Sequence, residues 1–157
     1  MLTKKDSSDS AGLDAPAVKT RAEAASRLGR TGDPLAIGPL TRALADPHPS
    51  VRKEAVQSLG KLRDSAALPG LILTLNDSDA SVRAAAIAAL GRIKDPASVE
   101  PLIGCLKDPV TEVRIGATVV LARLGDRRAL LPVRMLLSDR FDEVRGAAAD
   151  AVRKLGG

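Results

Sequence analysis

Aspartate and arginine recur in this chain at a spacing that would let a carboxylate meet a guanidinium. The pairs are Asp46 with Arg52, Asp77 with Arg83, Asp108 with Arg114 and Asp139 with Arg145, each Asp six residues ahead of its Arg. Such a pair can serve acid/base chemistry when one pocket gathers it once. Four copies at constant spacing instead describe a structural, hydrogen-bonded ladder running from repeat to repeat. Cys105 lies between Leu102 and Leu106, with no neighbouring His to activate a thiolate, so a buried inert thiol is expected. His48 sits in the Pro-flanked turn D-P-H-P and is expected in solvent. One Cys and one His cannot supply the three or four ligands of a usual zinc site, and no loop has the Asp-rich Ca²⁺ spacing with its closing Glu. No catalytic residue, metal site or cofactor is expected.

These columns belong to a repeat. VRKEAVQSLGKL from Val51, VRAAAIAALGRI from Val82, VRIGATVVLARL from Val113 and VRGAAADAVRKL from Val144 follow one another at 31 residues, and TRAEAASRLGRT from Thr20 fits the same frame. A second Asp column, Asp33, Asp64, Asp95 and Asp126, is followed by Pro34, Ser65, Pro96 and Arg127, which is N-cap and N1 chemistry. Each unit therefore reads as an A helix opened by this Asp, a turn at the other Asp, and a B helix beginning at Val-Arg. Val51, Ala55, Leu59 and Leu62 give the B helix a core stripe. Pro39, Pro101 and Pro132 share one column of the A helix, with Pro69 one place earlier, and predict a kink there. Gly29, Gly60 and Gly91 lie near the C-terminal ends of B helices, where helix propensity matters least.

Composition supports an all-α class. Of 157 residues, 26 are Ala and 22 Leu, and aromatic residues make up 1%, a mixture that excludes sandwiches and barrels. The longest uncharged stretch, from Ser65 to Asn76, is too short to span a bilayer, and the start MLTKKDSSDS lacks the apolar core of a signal peptide. A cytoplasmic protein is expected. Residues 1–14 are rich in Ser, Asp and Lys without a helical stripe and read as a disordered tail, leaving the first repeat without its A helix. Residues 15–157 form the repeat domain.

An A helix with a Pro, an Asp turn, and a B helix that starts V-R and ends A-L-G resembles the HEAT-repeat family, in the short HEAT-like form of phycobilisome lyases. The resemblance implies an α-solenoid of about four and a half 31-residue hairpins, with B helices lining a concave groove and the Asp–Arg ladder joining the repeats. Some HEAT-like hydroxylases bind di-iron through repeated His-Glu pairs; this chain has none.

If Val51, Ala55 and Leu59 face the core, then Lys53, Gln57 and Lys61 share another face of the B helix. Translated by the repeat, that face holds Ala84, Ala88 and Arg92, then Ile115, Val119 and Arg123. Its last position is always basic, at Arg30, Lys61, Arg92, Arg123 and Lys154. The cations complement the helix dipole, and a basic rail along one edge of the groove is the functional reading beside that structural one. The expected partner is a protein or peptide segment held against Lys53, Gln57, Ala84, Ala88, Ile115 and Val119, with Arg92 and Arg123 meeting its acids. A tetrapyrrole or its apoprotein is the alternative that a literal lyase resemblance implies. Nucleic acid is disfavoured, because outside the Arg column, the two Asp columns and the rail only 14 basic residues face 11 acidic ones and a lone Phe141 offers no platform for bases. No membrane partner is expected. Both ends of the repeat run stop without an obvious capping repeat, so end-to-end self-association, or membership of a longer array, is expected.

Overall fold

The computed structural model describes residues 10–157, which form two compact units meeting in sequence at Ile93 and Lys94. In the first unit the chain forms α1 (Val18–Thr31), α2 (Ile37–Ala43), α3 (Pro49–Leu62), α4 (Leu68–Thr74) and α5 (Ala80–Ile93). In the second it forms α6 (Val99–Gly104), α7 (Thr111–Leu124), α8 (Leu130–Met135) and α9 (Asp142–Leu155). The odd-numbered helices are the B helices, and α2, α4, α6 and α8 are the A helices. Within the first unit α1, α3 and α5 pack in succession, while α2 rests on α3 and α4 on α5; within the second, α7 packs on α9, with α6 on α7 and α8 on α9.

The repeating aliphatic columns account for this packing. Leu28, Leu40, Val51, Leu59, Leu71, Val82 and Leu90 are fully buried in the first unit, as are Leu102, Val113, Leu121, Val133 and Val144 in the second. Each such side chain withdrawn from water contributes about 1.5–3 kcal/mol before conformational entropy is set against it. Ser58 is fully buried because its hydroxyl donates to the Ala25 carbonyl at 2.9 Å, joining α3 to α1.

Three local expectations are corrected. The A segment is not one helix kinked at proline. Each Asp of the Asp33 column accepts a backbone N–H two residues on, at 2.8 to 2.9 Å, and opens a 3-10 turn: Pro34–Ala36, Ser65–Ala67, Pro96–Ser98 or Arg127–Ala129. An α-helix then restarts, so that Pro39, Pro101 and Pro132 are its third residue and Pro69 its second. There, in the first turn of the α-helix, the amide hydrogen is not needed. The second correction concerns Gly29 and Gly60, which are there for close approach. A Cβ on Gly60 would lie 2.8 Å from the Cβ of Ala89 on α5, and one on Gly29 only 2.7 Å from the Cα of Ser58. The third concerns the N-terminal segment. Residues 1–9 of the expected tail lie outside the described residues, but residues 10–12 are helical and a Cβ on Gly12 would sit 2.9 Å from that of Ala24. The first repeat thus has helical structure ahead of its B helix, which a Ser- and Asp-rich composition without a stripe concealed.

Candidate functional site

The Asp–Arg columns make a ladder, but with a different pairing from the six-residue one. In the first unit Arg21 donates through Nε and Nη2 to Asp46 at 2.7 and 3.0 Å, and Arg52 to Asp77 at 2.7 Å through both. In the second unit Arg114 grips Asp139 in the same two-pronged way, at 2.9 and 3.1 Å. Each carboxylate therefore belongs to an Arg 25 residues before it, in the preceding repeat. The Asp six residues ahead contributes its carbonyl: Arg52 Nη1 donates to Asp46 O at 3.0 Å, Arg83 Nη1 to Asp77 O at 2.9 Å, Arg114 Nη1 to Asp108 O at 2.7 Å and Arg145 Nη1 to Asp139 O at 2.8 Å. The same carboxylates also hold the turn, since Oδ1 of Asp46, Asp77, Asp108 and Asp139 accepts the backbone N–H two residues on. A planar guanidinium fork suits this combined duty as an ammonium would not. Hydrogen bonding by Arg21, Arg52 and Arg114 holds Asp46, Asp77 and Asp139 below the usual carboxylate range despite partial desolvation. With its acceptors occupied, the ladder has structural work and no free acid or base to offer a substrate.

Outside the ladder, Asp126 is lowered to about 2 by hydrogen bonds from the Arg128 side chain and backbone. His48 is exposed as expected, and it has a role the sequence reading missed: as N-cap of α3 it accepts the Ser50 N–H through Nδ1 at 3.2 Å. Asp79 stands in the same column and takes the Ser81 N–H at 2.8 Å. Cys105 is buried, 3.6 Å from the Pro101 carbonyl. Among the described residues no three of His, Cys, Asp and Glu gather as metal ligands would.

The B-helix face is at the surface in each unit. In the first, Lys53, Gln57 and Ala84 are half-buried, while Lys61, Ala88 and Arg92 are exposed. In the second, Ile115 is half-buried, Arg123 is exposed, and Val119 is 50% exposed. Ile115 and Val119 are one turn apart on α7, so the face offers adjacent aliphatic side chains that the core does not use.

A larger apolar feature, which periodicity did not reveal, lies on the A-helix side of the second unit. Between the end of α6 and α8 runs a slot of about 450 Å³ lined by Ile103, Leu106, Leu131, Met135 and Leu136, with Lys107 and Asp139 at its edge. Leu131 is 70% and Met135 75% exposed. A signal was present in the repeat columns, where Leu131 replaces Gly38, Pro69 and Glu100, and Met135 replaces Arg42, Leu73 and Gly104. Because those columns vary between repeats, an alignment read for its constant residues passes over them.

Similar folds are known. One chain of the phycocyanin lyase CpcE–CpcF complex from Nostoc sp. PCC7120 matches 99% of this chain at 27% identity with a TM-score of 0.83. Human deoxyhypusine hydroxylase matches 98% of it at 26% identity with a TM-score of 0.70. A designed armadillo repeat protein crystallised with the peptide (KR)4 matches 94% at 21% identity with a TM-score of 0.70, a likeness of fold alone. The chain spans 66% of the lyase chain, 64% of the hydroxylase and 80% of the designed protein. No curated protein matches significantly. The fold class is accordingly all-α, an α-solenoid of HEAT-like hairpins similar to those of the phycocyanin lyase. The family model for HEAT repeats matches residues 10–75 and again 68–153, and with a 31-residue register of Asp-capped hairpins running through both matches, the chain belongs to the HEAT-repeat family.

Proposed function

We propose that the protein is a non-enzymatic, cytoplasmic binding scaffold that holds a helix or extended segment of a partner protein on the exposed face of its B helices. In the first unit the contact residues are Lys53, Gln57, Ala84, Ala88 and Arg92; in the second they are Ile115, Val119 and Arg123. The observation that carries this reading is the half-exposed Val119 one turn from Ile115 on α7. Few, apolar anchors of this kind dominate binding energies when a partner covers them. The repeat itself suggests polar variants, because Lys53 occupies the Ile115 column and Asp150 the Val119 column. Tagged full-length chain should capture a protein partner from native lysate. The variant Ile115→Lys with Val119→Asp should lose that partner while its circular dichroism stays unchanged. Retained capture by the folded variant would remove the B-helix face from consideration.

Likeness to a phycocyanin lyase chain over nearly the whole sequence favours one second reading, a lyase-like or chaperone-type subunit that binds a tetrapyrrole or its apoprotein. It predicts visible absorbance in protein mixed with a linear tetrapyrrole and then desalted; colourless protein would argue for the scaffold.

A further inference from the structure

The slot between α6 and α8 faces away from any role given to the B helices, and packing within the second unit does not account for it. Comparable slots occur in the first unit, but their linings are more polar: one is formed with Ser10, Asp14, Arg42 and Asp46, the other with Thr41, Leu73, Asn76 and Asp77. In the second unit Leu131 and Met135, one helical turn apart on α8, bring two large side chains to the surface beside Ile103 and Leu106. An unbranched, polarisable Met at such a place adapts to the side chains of an incoming helix.

The charges around the slot identify the complementary chemistry. Lys107 at its edge, and Arg127, Arg134 and Arg140 on the adjoining segments, are exposed and form no ion pair among the described residues. Arg140 instead lies over the Phe141 ring at 4.7 Å. The acids of the same segments are already engaged, Asp139 by Arg114 and both Asp126 and Glu100 by Arg128. Exposed cations without an ion pair thus outnumber unpaired carboxylates on the segments around the apolar slot, which suits apolar side chains flanked by carboxylates. We propose that this slot docks an acidic amphipathic helix of a partner protein, whose Leu- or Met-type anchors at i and i+4 interleave with Leu131 and Met135 while its Asp and Glu side chains meet Lys107 and the arginines.

The test uses full-length protein and a short, fluorescently labelled synthetic helix with Leu at i, i+4 and i+7 and Glu on its flanks. Two twins carry Lys for Glu, or Ala for Leu. Anisotropy titration should show saturable binding of the Glu peptide and at least about tenfold weaker binding of either twin. Leu131→Glu with Met135→Arg should weaken the Glu peptide by about tenfold or more. Both substitutions copy residues that the repeat tolerates in those columns, Glu100 and Arg42, and circular dichroism will verify the fold. Reversing the exposed charges with Lys107→Glu and Arg134→Glu should move the preference to the Lys peptide. Equal binding of the two charge twins, or binding unchanged in the slot variant, would overturn the proposal. So would a wild-type dimer in light scattering that the slot variant abolishes, since the occupant would then be a second copy of the chain. The B-helix variant Ile115→Lys/Val119→Asp should leave this binding intact, which keeps the two sites separable.

Discussion

At the residue scale the most consequential contact is the one between a guanidinium and the carboxylate 25 residues on. Asp77, whose side chain is 9% exposed, receives two bonds from Arg52 at 2.7 Å and one from a backbone amide. Removing Arg52 leaves that charge largely desolvated without its main donor, so Arg52→Ala should lower unfolding free energy by about 1–3 kcal/mol. Lys61→Ala, at an exposed rail position, is the control and should change little. The acid limb of stability tests the same contact. Because Asp46 and Asp77 ionise below the ordinary carboxylate value when folded, the stability they contribute is fully present above about pH 4–5. It is lost as pH falls through their lowered values. Urea midpoints should therefore fall on acidification below about pH 4 in the wild type. The fall should be shallower in Arg52→Ala, where Asp77 returns toward its unfolded behaviour. A variant as stable as the control, with an unaltered acid limb, would remove the ladder's energetic role.

At the scale of the element, constant columns made much of the fold legible: the 31-residue period, the Asp caps, the Val-Arg start of each B helix and its core stripe can all be read without coordinates. The pairing inside the ladder could not, because Asp77 stands six residues before Arg83 and 25 after Arg52, and only the stacking of repeats decides which guanidinium reaches the carboxylate. The proline column misled for a local reason. A capped 3-10 turn ahead of the α-helix places Pro39 near the start of a hydrogen-bonding pattern rather than inside one. Part of the candidate site was legible too, since helical spacing puts Val119 and Ile115 on one face; Leu131 and Met135 became visible only when the folded A segments left them uncovered. The glycines show how an inter-helix constraint looks like a propensity effect. Gly60 would look harmless to replace near a helix end, yet its added Cβ meets the Cβ of Ala89 at 2.8 Å and its Cα at 2.9 Å. Gly60→Ala should thus destabilise by about 1–3 kcal/mol through overpacking, against the gain of under about 1 kcal/mol that Ala offers in an exposed helix. A rise in Tm would show that α3 and α5 can separate freely.

At the scale of the whole molecule, the net charge of +5 and pI near 9.8 invite a nucleic-acid reading, and the distribution of charge argues against it. Several arginines are spent on carboxylates: Arg21, Arg52 and Arg114 in the ladder, and Arg128 on Asp126. The rail offers Arg30, Lys61 and Arg92 in the first unit and Arg123 and Lys154 in the second, all exposed. Each phosphate neutralised contributes about −0.9 to the slope of log K against log salt for duplex DNA. Three rail cations in the first unit, the larger rail set, would by themselves give a slope no steeper than about −3 and only weak affinity at physiological salt. Titration of a labelled random duplex at several salt concentrations measures this directly. A slope of about −5 or steeper, reduced by Lys61→Gln with Arg92→Gln, would mean that phosphates engage more cations than either unit presents along its rail, and the basic balance would then have to be read as a binding surface rather than as helix-end charge.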